Sequence, residues 1–142
     1  MHQGPACCTI VAKNYLSFAR VLAGSFHRYH PGIPFFVLLA DEIDGHFDPT
    51  REPFRLLHWP DLDIPHVERF RFHYAQQPLS YAVTPYLLAG LLKLGFARVM
   101  FLKQESLVLG DLGPFFDCLE KASIVLTPHL VAPLAGPDRV PR

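Results

Sequence analysis

Two runs, a β-branched and small apolar one at residues 7–12 and a continuous apolar one at residues 35–40, constrain the fold of this chain more than any other feature. A run without polar alternation is typical of a strand that is buried on both faces, as in a parallel sheet covered by helices. Between the runs, Asn14 precedes apolar residues spaced by three and four, which predicts an amphipathic helix with Asn14 as its N-cap. The sequence His30-Pro31-Gly32 ends that helix. Strand, helix and strand in this order predict a βαβ unit with parallel strands.

The rest of the chain continues the alternation of strands and helices. Thr84 as N-cap and Pro85 at the first helical position predict the start of a second helix, which Gly95 ends. Residues 61–78 are interpreted as a loop or a short helix. The remaining predicted elements are strands at residues 54–59, 99–102, 107–109 and 123–127 and a short helix at residues 111–119. We therefore expect an α/β fold with a mostly parallel sheet and flanking helices.

Composition excludes several classes of protein. The 142 residues are 50% hydrophobic, with 13 Lys and Arg against 13 Asp and Glu, so the chain is neither disordered nor strongly charged. Without net charge we expect no nucleic-acid partner and no attraction to an anionic membrane. The apolar runs are also far shorter than the ~20 residues that cross a bilayer.

The residues that most often carry chemistry do not form familiar motifs here. The three cysteines make no C-x-x-C pair and no even disulfide framework, which favours a reducing, cytoplasmic setting. The eight histidines are scattered and predict no metal site. The glycine patterns of dinucleotide-binding and phosphate-binding loops are absent, as is the G-x-S-x-G motif of serine hydrolases.

Polar residues that follow the predicted strands are the candidates for a binding site, because ligands of open α/β sheets bind at the carboxyl ends of the strands. They are Lys13, Asn14, Tyr15, Asp41, Lys103, Gln104 and Glu105. The pattern alone favours a simpler interpretation for three of them: a helix cap for Asn14, a partly buried ring for Tyr15 and a solvated strand end for Asp41. From the residues alone, the sequence predicts an α/β domain with a nucleotide or small-ligand site at the strand ends.

Four segments carry a resemblance to a known family. They are CTIVAKNYL at residues 8–16, LSYAVTPYLL at residues 79–88, RVMFL at residues 98–102 with Leu107 and Val108 after it, and SIVLTPH at residues 123–129. In this order and spacing they resemble the N-terminal half of GT-A type glycosyltransferases, the nucleotide-diphospho-sugar transferases of the glycogenin and lipopolysaccharide-galactosyltransferase kind. The resemblance spans nearly the whole chain and implies a Rossmann-like nucleotide-sugar-binding half.

The resemblance implies a function and a role for particular residues. Ala12, Asn14 and Tyr15 would line the base and ribose of a nucleotide, and Asp41 would lie near the base. The implied partner is a nucleotide-sugar or nucleoside diphosphate, and the implied reaction is transfer of the sugar. The alternative is a non-catalytic remnant, a binding or interaction module that keeps the GT-A fold.

Residues 103–105 depart from the family pattern. Related enzymes carry Asp-x-Asp here and use its carboxylates to hold a divalent metal, whereas this chain has Lys103, Gln104 and Glu105. A lysine places positive charge where the ion would bind, so we expect no metal cofactor. Lys103 could instead supply the positive charge that the diphosphate needs.

The matched region also suggests how the chain is organised. In the family an acceptor-binding half follows it, so we expect a truncated transferase-like domain at residues 1–131 and a proline-rich tail at residues 132–142. A sheet without its second half would leave an apolar face or a strand edge open. We therefore expect a homodimer; the alternative is that the tail folds back over the gap.

Overall fold

The computed structural model describes residues 3–45, 47–128 and 130–132. Its helices and strands are β1 (Gln3–Val11), α1 (Leu16–Tyr29), β2 (Phe35–Leu39), β3 (Arg55–Leu57), α2 (Val67–His73), α3 (Gln76–Lys93), β4 (Phe96–Phe101) and α4 (Gly113–Cys118). Among these residues no helix is long and apolar enough to cross a membrane.

The four described strands form one sheet in the order β3-β2-β1-β4. Every pair is parallel, and β1 lies between β2 and β4 with Cys7 opposite both Phe35 and Met100. The predicted α/β fold with a parallel sheet and flanking helices is confirmed.

The central strands are buried on both faces, which explains why their sequences show little polar alternation. Cys8 and Ile10 of β1 pack into a core beneath α3, while Cys7 and Val11 pack into a second core beneath α1. Because adjacent residues of a strand point to opposite faces, both faces of β1 need apolar side chains. All five residues of β2 are buried in the same way.

Helix α1 ends as predicted, but its beginning differs from the prediction. Lys13–Tyr15 form a 3-10 turn in which Tyr15 donates its backbone N–H to Ala12 O over 2.9 Å. Tyr15, and not Asn14, is therefore the N-cap residue of α1, and it makes no side-chain cap bond. The prediction of Asn14 as N-cap was wrong because the chain tightens into this turn before the helix starts.

The predicted start of the second helix at Thr84 and Pro85 was also wrong. Helix α3 begins at Gln76 and contains Pro85 in its interior. The hydroxyl of Thr84 donates to Ser80 O over 2.7 Å and does not cap the helix. The helix passes through the proline because a buried stripe holds it against the sheet; the stripe consists of Leu79, Val83, Leu87 and Leu91. Gly95, with φ of 97°, ends the turn after α3 as predicted.

Two predicted strands do not form among the described residues. At residues 107–109 the chain packs against α1, where Val108 donates its backbone N–H to the Ser25 hydroxyl over 3.1 Å. Residues 123–127 have no strand partner in the described chain and are exposed. The short helix α4 lies within the predicted range, and the loop or short helix predicted at residues 61–78 contains α2 and the start of α3. Most of the predicted tail, residues 133–142, lies outside the described residues.

Candidate functional site

A cleft of about 490 Å³ opens at the carboxyl ends of β1, β2 and β4. We call it the edge cleft; its lining residues are Ile10, Val11, Ala12, Tyr15, Phe18, Ala40, Ser80, Gln104 and Glu105. Its size lies in the range of small-molecule sites, and its position at the strand ends is where open α/β sheets bind ligands. The sequence-predicted residues Ala12, Tyr15, Gln104 and Glu105 therefore lie together.

One wall of the edge cleft is aromatic. The rings of Tyr15 and Phe18 meet edge to face, with centroids 5.6 Å apart and planes at 61°. Tyr15 is the N-cap residue of α1 and Phe18 lies in its first turn, and the two side chains remain 40% and 46% exposed. Exposed ring faces at the mouth of a cleft can stack against a flat ligand.

A second part of the lining is polar and comes from the turn after β4. Ser106 donates its backbone N–H to Lys103 O over 3.0 Å, and this bond closes a tight turn that carries Gln104 and Glu105. Ser80 adds a hydroxyl from α3. The amide, the carboxylate and the hydroxyl together offer both hydrogen-bond donors and acceptors to a ligand.

Lys103 lies next to this polar lining and keeps its charge exposed. Its Nζ lies 3.5 Å from Tyr81 Oη and 3.6 Å from Glu105 Oε1, and it sits 5.6 Å from the centroid of the Tyr81 ring. The hydrogen bond to Tyr81, with the Glu105 carboxylate as a further cause, raises the pKa of Lys103 above its ordinary value. The ammonium is thus a held but accessible cation beside the edge cleft.

Asn14 and Asp41 line a neighbouring cleft of about 480 Å³ with Lys13, Ala40 and Leu79. Asp41 accepts a 2.6 Å hydrogen bond from the backbone N–H of Lys13, and the Lys13 ammonium pairs with Asp44. One oxygen of Asp41 therefore fixes the start of the turn that carries Tyr15. The two clefts share Ala40 and therefore adjoin at the strand ends.

The end of β2 is held in place from several sides. Ala40 donates its N–H to Val11 O over 2.8 Å, and its carbonyl accepts from Trp59 Nε1 over 3.1 Å. Arg71 lies over the Trp59 ring and forms a 2.7 Å ion pair with Glu42. These contacts give the edge cleft a preorganised floor.

The residues of the edge cleft do not fit a divalent metal ion. Mg²⁺ and Ca²⁺ need several oxygen ligands, whereas Glu105 is the carboxylate in this lining and already faces the Lys103 ammonium at 3.6 Å. In the part of the chain that the structure describes, no three His, Cys, Asp or Glu residues are grouped to hold a metal ion.

Sequence reasoning missed three residues of this region: Phe18, Ser80 and Tyr81. Phe18 follows Tyr15 by three residues, and that spacing on a helix could have identified a shared face. Ser80 and Tyr81 were missed because α3 was expected to begin only at Thr84. The four-residue spacing from Leu79 to Val83 was the signal that the helix starts earlier.

Two smaller depressions, of about 380 and 400 Å³, lie away from the carboxyl ends of the strands and share Glu52. The Glu52 carboxylate is buried and accepts two hydrogen bonds from Arg20, at 2.7 and 2.9 Å. The carboxylate that the two depressions share is therefore already paired.

In comparisons with family models, curated proteins and solved structures, nothing matches this chain.

Proposed function

We propose that this chain is a glycosyltransferase-like domain that binds the nucleotide of a nucleoside-diphospho-sugar in the edge cleft. The observation that carries the proposal is the pairing of an exposed aromatic wall, Tyr15 and Phe18, with a polar turn and an accessible lysine at the strand ends. A nucleotide has the matching parts: a flat base, a hydroxylated ribose and a negatively charged diphosphate.

The aromatic wall and the polar turn suit the base and the ribose. A base can stack on the exposed faces of Tyr15 and Phe18, which supplies affinity with little selectivity among the bases. The Gln104 amide can donate to and accept from a base edge, and the Glu105 carboxylate can accept from ribose hydroxyls. The cleft thus offers contacts to both halves of a nucleoside.

Lys103 suits the diphosphate. An ammonium is a compact point charge that binds phosphate oxygens, and half of the Lys103 side chain is exposed. Tyr81 and Glu105 limit the directions in which the ammonium can point. This assignment makes nucleotide binding independent of a divalent metal, as the poor fit of the cleft to a metal requires.

Two functions are compatible with nucleotide binding at this site: transfer of the sugar and binding without catalysis. Lys103 favours the second, a non-catalytic binding module, because the paired carboxylates that would hold a metal on the diphosphate are missing from residues 103–105. Release of free sugar or UDP from a UDP-sugar, followed over time, distinguishes transfer or hydrolysis from binding. The described cysteines are all unpaired thiols, which supports a cytoplasmic setting.

Calorimetric titration of the full chain with UDP and with GDP tests the binding proposal. Tyr15→Ala should weaken nucleotide binding at least about fivefold, since a stacked base is worth ~1–3 kcal/mol. Tyr29→Ala is the matched control, because Tyr29 is the last residue of the helix that Tyr15 precedes and is 41% exposed against 40% for Tyr15. Absence of binding to both nucleotides, or equal losses in the two variants, would overturn the proposal.

A further inference from the structure

The two edges of the sheet differ in how well they are protected. The β3 edge is only three residues long and lies between Pro53 and Pro60, with the exposed charge of Arg55 on it. Short strands, prolines and charges are devices that prevent pairing with another chain. The β4 edge has six residues and no proline.

The outer side of β4 carries unpaired backbone groups in the described structure. Leu102 donates its backbone N–H inward to Cys8 O over 3.0 Å. Since successive residues direct their backbone groups to opposite sides of a strand, Ala97, Val99 and Phe101 direct theirs outward. Within residues 3–45, 47–128 and 130–132, no strand or backbone hydrogen bond reaches this side.

The same chain also carries a segment suited to cover such an edge. Residues 123–127 are uncharged and rich in β-branched and apolar side chains, the composition that favours strands. Yet Ile124 is 75% exposed and Leu126 83% exposed, and no described strand pairs with them. A strand-forming segment and an open strand edge are therefore present together and unpaired within the described part of the chain.

The segment at residues 123–127 and the outer edge of β4 match in charge and in length. The charged side chain of β4, Arg98, is already engaged by Phe116 O at 3.3 Å and by the carboxylates of Asp117 and Glu120 at 3.7 and 3.5 Å. The edge is thus as neutral as the segment, and the chain as a whole has equal numbers of acidic and basic residues. Five residues in extended conformation nearly span the six-residue strand.

We propose that two copies of this chain form a dimer in which residues 123–127 of each copy add as a strand to the outer edge of β4 of the other. This is strand addition, in which backbone hydrogen bonds supply affinity and apolar side chains supply fit. Reciprocal exchange forms the contact twice and closes the assembly under two-fold symmetry. The dimer does not depend on the proposed nucleotide site.

Light scattering of the full chain over a dilution series tests the dimer. Wild-type protein should be dimeric at high concentration and dissociate on dilution. Leu126→Asp places a charge in the segment, and Ala97→Pro removes an outward N–H without touching an inward bond; each should raise the dissociation constant at least about tenfold. Phe72→Asp is the control, because Phe72 is 90% exposed on α2 and should leave the dimer unchanged.

Amide hydrogen exchange shows which chain covers the edge. The amides of Ala97, Val99 and Phe101 should be protected in the dimer and lose protection at concentrations where it dissociates. Protection that does not change on dilution would mean that the chain covers its own edge, and would overturn the proposal. A wild-type monomer at high concentration, or a dimer unaffected by both Leu126→Asp and Ala97→Pro, would overturn it as well.

Discussion

Leu112 donates its backbone N–H to Nε2 of His30 over 2.9 Å, so the buried imidazole at the end of α1 serves as a hydrogen-bond acceptor. A second bond of this kind joins Val108 to Ser25 on the same helix. Together they hold the segment after β4 against α1. The turn that carries Gln104 and Glu105 is thereby anchored on both sides, by β4 before it and by α1 after it.

Replacing His30 should therefore destabilise the protein. His30→Ala leaves the Leu112 N–H without its acceptor and removes a ring that packs 4.9 Å from Phe26. We expect a loss of about 2–3 kcal/mol in the free energy of unfolding, measured by urea denaturation. Arg28→Ala, an exposed change in the same turn of α1, should stay within about 0.5 kcal/mol of wild type. Equal effects of the two changes would contradict the anchoring role of His30.

Replacing Thr9, in contrast, should stabilise the protein. Its hydroxyl is fully buried in the central strand and has no hydrogen-bond partner among the described residues. Thr9→Val keeps the shape and removes the unsatisfied group, so stability should rise by about 1 kcal/mol in thermal or urea unfolding. Thr84→Val is the matched control, because it removes a hydroxyl that does have a partner, Ser80 O. That variant should gain nothing.

Pro85 in the interior of α3 costs the helix a backbone hydrogen bond. Pro85→Ala restores the donor at an exposed position, so the helix should be stabilised by up to about 3 kcal/mol. Unfolding curves followed by far-ultraviolet circular dichroism measure the gain. A loss of stability in Pro85→Ala would contradict this prediction.

The strands and α1 could be predicted from sequence because their signals are local. A run with little polar alternation is typical of a strand that is buried on both faces, and β1 and β2 are such strands. The start of α3 was missed because a favourable local signal, Thr84 before Pro85, competed with the longer stripe that begins at Leu79, and burial decided the outcome. Residues 123–127 show the limit of local reasoning, since strand propensity forms no strand without a partner edge.

The candidate site was partly predictable for a topological reason. Parallel strands bring their carboxyl ends to one edge, so residues after β1 and β4 had to meet there, and Tyr15 and Gln104 do. Ser80 could not be placed in this way, because it comes from the side of a helix whose position depends on packing. The bond that ties Asp41 to the Lys13 backbone likewise follows from the exact path of the turn.

Because of the two buried cysteines, the free energy of unfolding should decrease as the pH rises into the alkaline range. Burial raises the pKa of the Cys8 thiol, and burial with the neighbouring Cys8 raises that of Cys7. Above about pH 9 the unfolded chain loses these protons while the folded chain keeps them. The folded state then binds more protons, so each thiol lowers stability by about 1.4 kcal/mol per pH unit.

Urea unfolding between pH 8 and 10 measures this dependence. Cys8→Ala should show a shallower loss of stability with rising pH than wild type, although the variant is less stable at pH 8. Cys118→Ala is the control, because the Cys118 side chain is exposed, and its curve should run parallel to that of wild type. Parallel curves for Cys8→Ala and wild type would show that the buried thiols do not contribute.

A substitution of Lys103 tests whether its ammonium, and not a metal ion, binds the diphosphate at the edge cleft. Its ammonium lies 3.6 Å from the Glu105 carboxylate and keeps half of its surface open, so a diphosphate can reach it. Lys103→Gln should weaken binding of UDP about tenfold and leave binding of uridine unchanged, because uridine carries no phosphate. Lys121→Gln, at an exposed position after α4, should change neither.

The same residue sets the expected response to metal. Wild-type affinity for UDP should be equal in Mn²⁺ and in EDTA, because the ammonium supplies the positive charge and repels a cation. Lys103→Asp places a second carboxylate two residues before Glu105, on the same closed turn, and should make UDP binding depend on Mn²⁺. Calorimetry with and without Mn²⁺ measures both variants. A rise of about tenfold in wild-type affinity on adding Mn²⁺ would mean that an ion binds despite Lys103, and the assignment of the lysine to the diphosphate would be wrong.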